Sequence, residues 1–285
     1  MKLKTRKKHL LFFLFFVLSG SVLFADPSGL LATPDGKVSF SSSLELGFFG
    51  FFAHNIQFDR DGTYFDYVAD GGQDVLFPFQ RISADITFNN RHTVTFLVQP
   101  IDVRTSILLG EDLVVDDETF SAGTAMNLRY GFDYYRLSYL YDFFEDPARE
   151  LGIGLSMQFR DAVIDFASAD GTQFIGNRNV GPVPILKFRF RTPLGEYFWI
   201  GSEIDGFYAA ITVLNGSLES QVTGIILDAS LRAGIAPSDF FEAFLNLRYL
   251  GGGAEGDAAD STPPGDGYSK NYLHAFSVSL GGRLK

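Results

Sequence analysis

From Val38 onward, apolar and polar residues alternate with a period of two. In Val38 to Phe58 the even positions include Val38, Phe40, Leu44, Leu46, Phe48, Phe52, Ile56 and Phe58, whereas the odd positions include Ser39, Ser41, Ser43, Glu45, Asn55 and Gln57. Successive side chains of a strand point to opposite faces, so this segment reads as a strand with one apolar and one polar side. The same pattern recurs in Phe79–Phe88, and helical spacing is scarce. Further strands are predicted at His92–Leu109, Glu118–Phe144, Leu151–Phe166, Val183–Arg191, Tyr197–Ile211, Ser220–Ile235, Phe240–Leu250 and Tyr272–Leu284. The chain is therefore all-β with about ten strands, eight or twelve being the alternatives.

The connections between these strands alternate in length. Asn89-Asn90-Arg91, Glu145–Glu150, Thr192–Glu196 and Ala236–Asp239 are short; Asp59–Leu76, Gly110–Asp117, Ala167–Pro182, Leu214–Glu219 and Gly251–Asn271 are mostly longer. Short turns at one end and longer loops at the other, with an even strand number, describe a closed antiparallel up-and-down barrel that spans a membrane. The alternation changes phase in three consecutive strands. It does so across Pro100, across Gly131-Phe132-Asp133 and across Arg160-Asp161. One extra residue flips the faces of a strand, so β-bulges are expected there, near the outer bilayer boundary.

Charge changes this picture next. The 285-residue chain has a net charge of −11 and no Cys, which excludes disulfides, thiol catalysis and Cys-ligated metal. Residues 1–25 carry Lys2, Lys4, Arg6, Lys7 and Lys8, then an apolar run and small residues ending at Ala25. That is the pattern of an export signal, with cleavage expected after Ala25, a periplasmic segment over 26–36 and a barrel over 37–285. The remainder is strongly acidic, which argues against nucleic-acid partners.

From residue 26 on, the chain holds 14 Arg but only 4 Lys. Enclosed ion pairs favour Arg, whose planar fork grips a carboxylate in two places. A charge-paired lumen is therefore expected from Glu45, Arg81, Asp85, Asp102, Arg104, Arg129, Asp133, Arg136, Asp142, Arg160, Arg189, Glu203, Asp205, Asp228, Arg232, Glu242 and Arg248, with Lys187 and Arg191 on the same faces. The surplus acid falls in the long connections, at Asp59, Asp61, Asp66, Asp70 and Asp74, at Glu111, Asp112, Asp116 and Asp117, and at Glu255, Asp257, Asp260 and Asp266. Aromatic girdles are expected from Phe48, Phe49, Phe51, Phe52, Tyr134, Tyr135, Tyr139, Tyr141, Phe143, Phe198 and Trp199.

The export signal, the alternating strands, the loop parity and the closing strand Tyr272–Leu284 resemble the small outer-membrane β-barrel proteins of diderm bacteria, such as OmpA-like, OmpW-like and opacity-type barrels. The resemblance is architectural and covers residues 37–285. The terminal Lys285 departs from that group's aromatic last residue. It implies an outer-membrane location with external loops and periplasmic termini, and as partners membrane lipid and the barrel-assembly machinery. Divalent cations or extracellular ligands are further partners to consider at the acidic loops.

Candidate chemistry is sparse. His92 lies beside a short turn, while His54 and His274 share the parity of the apolar positions in strands that become neighbours on closure. No enzymatic activity is expected. Asp59 and Asp61 resemble the start of a calcium loop without its later ligands, so no metal site and no cofactor is expected. The reading is a structural or surface-interaction barrel, the alternatives being a narrow, cation-preferring channel and, last, a hydrolase at the rim.

Overall fold

A computed structural model describes residues 37–215, 218–257 and 266–285. The export signal at 1–25 and the segment 26–36 lie outside the described residues. In chain order the strands are β1 (Val38–Phe58), β2 (Phe65–Asp66), β3 (Phe77–Phe88), β4 (His92–Gln99), β5 (Asp102–Leu108), β6 (Leu113–Val115), β7 (Glu118–Phe120), β8 (Ala125–Asp142), β9 (Glu150–Ser168), β10 (Phe174–Leu194), β11 (Phe198–Asn215), β12 (Leu218–Ser238), β13 (Phe241–Asp257) and β14 (Tyr268–Leu284).

All the main strands pair antiparallel with their sequence neighbours, and β14 pairs back onto β1 from Ser42↔Leu284 to Phe58↔Ser269, which closes the barrel. With β4 and β5 forming one stave, the barrel has ten staves. The turn at Asn89-Asn90 has φ of 51° and 53°. Positive φ at both central residues gives the twist that matches two-residue hairpins, and Asn accepts it more readily than most residues.

The bulges lie elsewhere than the alternation suggests. Gln99↔Tyr134 and Asp102↔Gly131 belong to one unbroken register across Pro100. The β8–β9 ladder is likewise continuous from Met126↔Ser168 to Asp142↔Gly152, through both predicted bulge sites in that pair. The even positions of β8 point inward along its whole length: Asp142, Leu140, Arg136 and Tyr134 below, and Tyr130, Leu128 and Met126 above. What changes is the surroundings. Below Tyr134 the exterior residues are Tyr135, Leu137 and Tyr139, all exposed. Above it the exterior carries Arg129 and Asn127, and the interior becomes apolar. A strand whose exterior passes from apolar to polar while its interior passes from charged to apolar inverts its hydrophobic phase without inserting a residue.

A bulge does lie in β1, where pairing with β14 shifts between Phe51 and Ala53, and the β12–β13 pair shifts between Ile235 and Ser238 at its short-turn end. In β1 the sequence alternation is uniform. Phe48 and Phe52 face outward, but after the shift His54, Ile56 and Phe58 are buried inside. The extra residue reverses the facing at the level where the surroundings reverse, so the apolar residues keep their parity.

The first two long connections are part of the interior. Segment 59–76 turns inward, pairs through Ile56↔Phe65 and buries Phe65 and Tyr67. Thr105 Oγ1 donates to the Gly71 carbonyl at 2.6 Å, joining this segment to β5. The β6–β7 hairpin buries Leu113, Val115 and Phe120, and Thr63 N donates to the Val114 carbonyl at 2.9 Å. The remaining long connections are mostly strand. β9 and β10 continue to Ser168 and from Phe174, and the glycine run Gly251–Gly253 lies within β13.

Candidate functional site

Two interior regions are stacked along the barrel axis. In the lower one, polar inward positions from β1, β3, β8 and β10–β13 meet as a connected ion-pair network. Glu45 lies 3.7 Å from Arg81 and 3.3 Å from Arg232; Arg81 reaches Glu203 at 3.2 Å. Lys187 bridges Glu203 at 3.0 Å and Asp205 at 3.2 Å. Arg136 binds Asp205 at 2.7 Å and Asp228 at 3.2 Å, and Arg248 also pairs with Asp228. Neutral groups fill remaining bonding positions: Asn246 and Ser279 donate to Glu45, and Gln158 accepts from Arg136. Charges withdrawn from water persist only when paired, and each of Glu45, Glu203, Asp205 and Asp228 has a cationic nitrogen within 3.3 Å.

Nearer the short turns, Arg189 joins Asp85 at 3.2 Å and Glu150 at 2.6 Å, Arg283 reaches Asp85 at 3.3 Å, and Glu242 pairs with Arg191 and Lys285. Glu150, Arg283 and Lys285 were not among the predicted lumen residues. They lie at strand ends, where alternation is a weak guide. The void lined by Arg81, Arg136, Lys187 and Glu203 measures about 50 Å³, room for a few waters.

Several predicted members are not in the network. Asp102, Arg104 and Arg129 lie on the outer surface of β5 and β8 above the phase inversion, where Arg129 binds Asp102 at 2.8 Å and Asp165 at 3.5 Å. Asp133 shares that outward parity. The polar face stops being the lumen face at this height. Asp142 is inward, but it accepts the backbone N–H groups of Phe144 and Leu151 and so fastens a turn. Arg160 points inward above the network, into the upper region.

The upper region is an aromatic core. His54 is fully buried, stacked on Tyr67 with ring centroids 4.7 Å apart and edge-on to Tyr130 at 4.3 Å, and its Nδ1 bonds Gln73 Oε1 at 2.7 Å. His274 pairs in register with Ala53 but faces outward, bonded to the Tyr249 hydroxyl at 2.7 Å. The two histidines therefore do not meet. His92 bonds the Tyr139 hydroxyl at 2.7 Å on the exterior. Of the predicted girdle, Phe48, Phe52, Tyr135, Tyr139, Phe143 and Phe198 are exposed, while Phe49, Phe51, Tyr134 and Trp199 are buried in the interior.

The acidic loop residues act largely as fasteners. Asp66 caps Val68 and Ala69, Asp112 accepts from Ala122 N, and Arg60 joins Asp257 at 2.7 Å and Asp266 at 3.3 Å. Asp59 sits at φ 61° and accepts the Asp266 N–H at 2.6 Å; burial pushes its carboxyl above the ordinary value. Asp260 lies outside the described residues. No cluster of His, Asp and Glu able to hold a metal occurs among the described residues.

No protein-family model matches the chain, and no curated protein matches its sequence. Among solved structures, it is similar to the outer membrane protease OmpT of Escherichia coli at 10% identity and a TM-score of 0.51, over 86% of this chain and 96% of that one. The transport unit of the E. coli autotransporter AIDA-I aligns at 9% identity and a TM-score of 0.42, over 96% and 97% of the two chains. Ail of Yersinia pestis aligns at 10% and 0.35, over 86% and 99%. At 10% identity the likeness to OmpT concerns the backbone alone, and with ring closure and the exposed apolar belt it gives the conclusion that this chain has the fold of the small outer-membrane β-barrels.

Proposed function

We propose that the chain is a non-conducting structural or surface-interaction barrel of the bacterial outer membrane, with short turns and termini in the periplasm and the upper core outside. It carries out no catalysis. The observation that supports this most is the ion-pair lattice from Glu45 through Arg81, Glu203, Asp205 and Arg136 to Asp228, which crosses the lumen with only small voids. An open channel needs a water-filled path, and a narrow barrel whose inward side chains meet does not offer one. The apolar core around His54, Tyr67 and Phe166 adds a second seal. Above it, the acidic rim faces the surroundings, where cations or external ligands would meet it.

Folded protein in a planar bilayer tests this reading. The expected result is no stepwise conductance, with folding checked by heat-modifiable gel migration. Regular discrete steps from folded protein would favour the cation-preferring channel instead.

A further inference from the structure

One part of the barrel wall is open. The β10–β11 ladder runs from Leu194↔Phe198 to Leu186↔Gly206 and stops there among the described residues, although both strands continue upward, β10 paired to β9 and β11 paired to β12. Pro182 and Pro184 lie on the unzipped stretch of β10. Their partners on the other side, Phe159 and Met157, belong to an unbroken ladder. A proline sustains such a ladder only where its nitrogen points to the opposite edge, so both prolines remove donors from the edge facing β11. The seam begins at the height of Leu227 and Met157, exposed residues of the apolar belt, and rises past the exposed Tyr208.

Behind this seam lies a cavity of about 490 Å³, within the ~300–1,000 Å³ range of small-molecule sites. Pro182, Pro184 and Phe207 line its seam side, and Ile164, Ile226 and Leu250 supply apolar wall. The inward position Gly224 adds no bulk, which helps to leave the space empty. Arg160 also lines the cavity. Its Nε is buried with no hydrogen-bond partner, and no ion pair to it is found among the described residues. Asp116, the acid on the wall, accepts a bond from Asn177 instead. Arg178, which also lines the cavity, is already paired with Asp161 at 2.6 Å.

We infer that this cavity binds a single-chain amphiphile with a monoanionic head: the head bonds the unpaired Arg160 guanidinium, the alkyl chain occupies the apolar wall, and entry is lateral, from the outer edge of the membrane through the β10–β11 seam. An unpaired guanidinium beside apolar wall selects an anion, and a carboxylate or phosphate matches its donor fork. The inference stands apart from the closed lower lumen, because lateral entry does not use it.

The test uses the full chain in nanodiscs of uncharged phosphatidylcholine, titrated calorimetrically with laurate, lysophosphatidylglycerol, dodecanol and dodecylammonium. Saturable one-site binding is expected for at least one anion, with laurate alone indicating a free carboxylate and lysophosphatidylglycerol alone a lipid source. Dodecanol should bind about tenfold or more weaker, the scale of a lost charge-assisted hydrogen bond. Arg160→Gln should bring the anion down to the dodecanol level. Gly224→Leu, whose new Cβ would meet nothing nearer than the Gly253 carbonyl at 3.8 Å, should block the tail while leaving Arg160 in place. Pro182→Val with Pro184→Val restores two donors to the edge and should slow association of the fluorescent carboxylate cis-parinarate. Non-saturable uptake of both anions, or equal binding of laurate and dodecanol to wild-type protein, would overturn the inference even if Arg160→Gln fails to fold.

Discussion

The lower and upper halves of the barrel solve opposite problems with the same strands. Below Tyr134, Leu137 faces outward and Arg136 inward; above it, Arg129 faces outward and Tyr130 inward. Each side chain goes where its surroundings allow, and the strand's pleat never changes. In β8 and β9 the sequence therefore changes phase while the backbone does not. In β1 the backbone shifts between Phe51 and Ala53 while the sequence phase stays constant. Alternation reports the product of facing and environment, so either can change and leave the same signature.

The lower half depends on paired charge, and its disruption is expected to have the largest effect. Arg136→Ala leaves Asp205 and Asp228 short of a partner in a dry interior and should cost about 3–5 kcal/mol, read as a lower urea midpoint for loss of the heat-modifiable band. A loss within experimental error would mean that water, not Arg136, solvates those carboxylates.

The outer faces give the next contrast. Leu137→Arg puts a charge on the apolar belt and should cost about 2–4 kcal/mol near mid-membrane. Arg129→Leu, on the same face of the same strand but above the inversion, loses only partly exposed pairs and should cost no more than about 1 kcal/mol. Equal penalties in the same unfolding assay would erase the difference between the halves.

The smallest effect concerns the turn at the top of β9 and β10. The Ser168 hydroxyl, followed by the Thr172 N–H and hydroxyl, holds the Asp170 carboxyl down to about 2. A depressed folded value means the turn is favoured at neutral pH and that this contribution is lost as pH falls from about 4 toward 2. Amide exchange at Gly171 and Thr172 should accelerate, relative to an unstructured reference peptide, over that window, and Asp170→Asn should remove the pH dependence.

Much of the architecture was legible in the residues. The strand positions, the short turns and the closure follow from period-two patterning, because each stave has one apolar side and the hairpin Asn89-Asn90 marks its own turn. The lumen network was legible in part, since Arg and carboxylates below the inversion had nowhere else to go. Following polarity instead of parity places Asp102, Arg104 and Arg129 in the lumen, whereas they lie outside. Counting inward positions upward from Arg136 reaches Tyr134, Phe132 and Tyr130, and leaves Arg129 outside. The inward folding of segment 59–76 was hidden by its acids, although Phe65 and Tyr67 within it are residues that seek a core. The β10–β11 seam had its signal in Pro182 and Pro184, whose missing N–H groups matter only once the neighbouring strand is known.

The inversion itself is the central claim, and the chain's lack of Cys makes it directly testable. Single cysteines at Met126, Asn127, Leu128, Arg129 and Tyr130 in β8 would be probed with a water-soluble maleimide on folded protein in lipid vesicles, with Leu137→Cys as the lipid-facing control. An unbroken pleat predicts rapid labelling at 127 and 129, protection at 126, 128 and 130, and slow labelling at 137. Labelling at 126, 128 and 130 with protection at 127 and 129 would contradict it, and would mean that β8 flips its faces at Gly131–Asp133 after all.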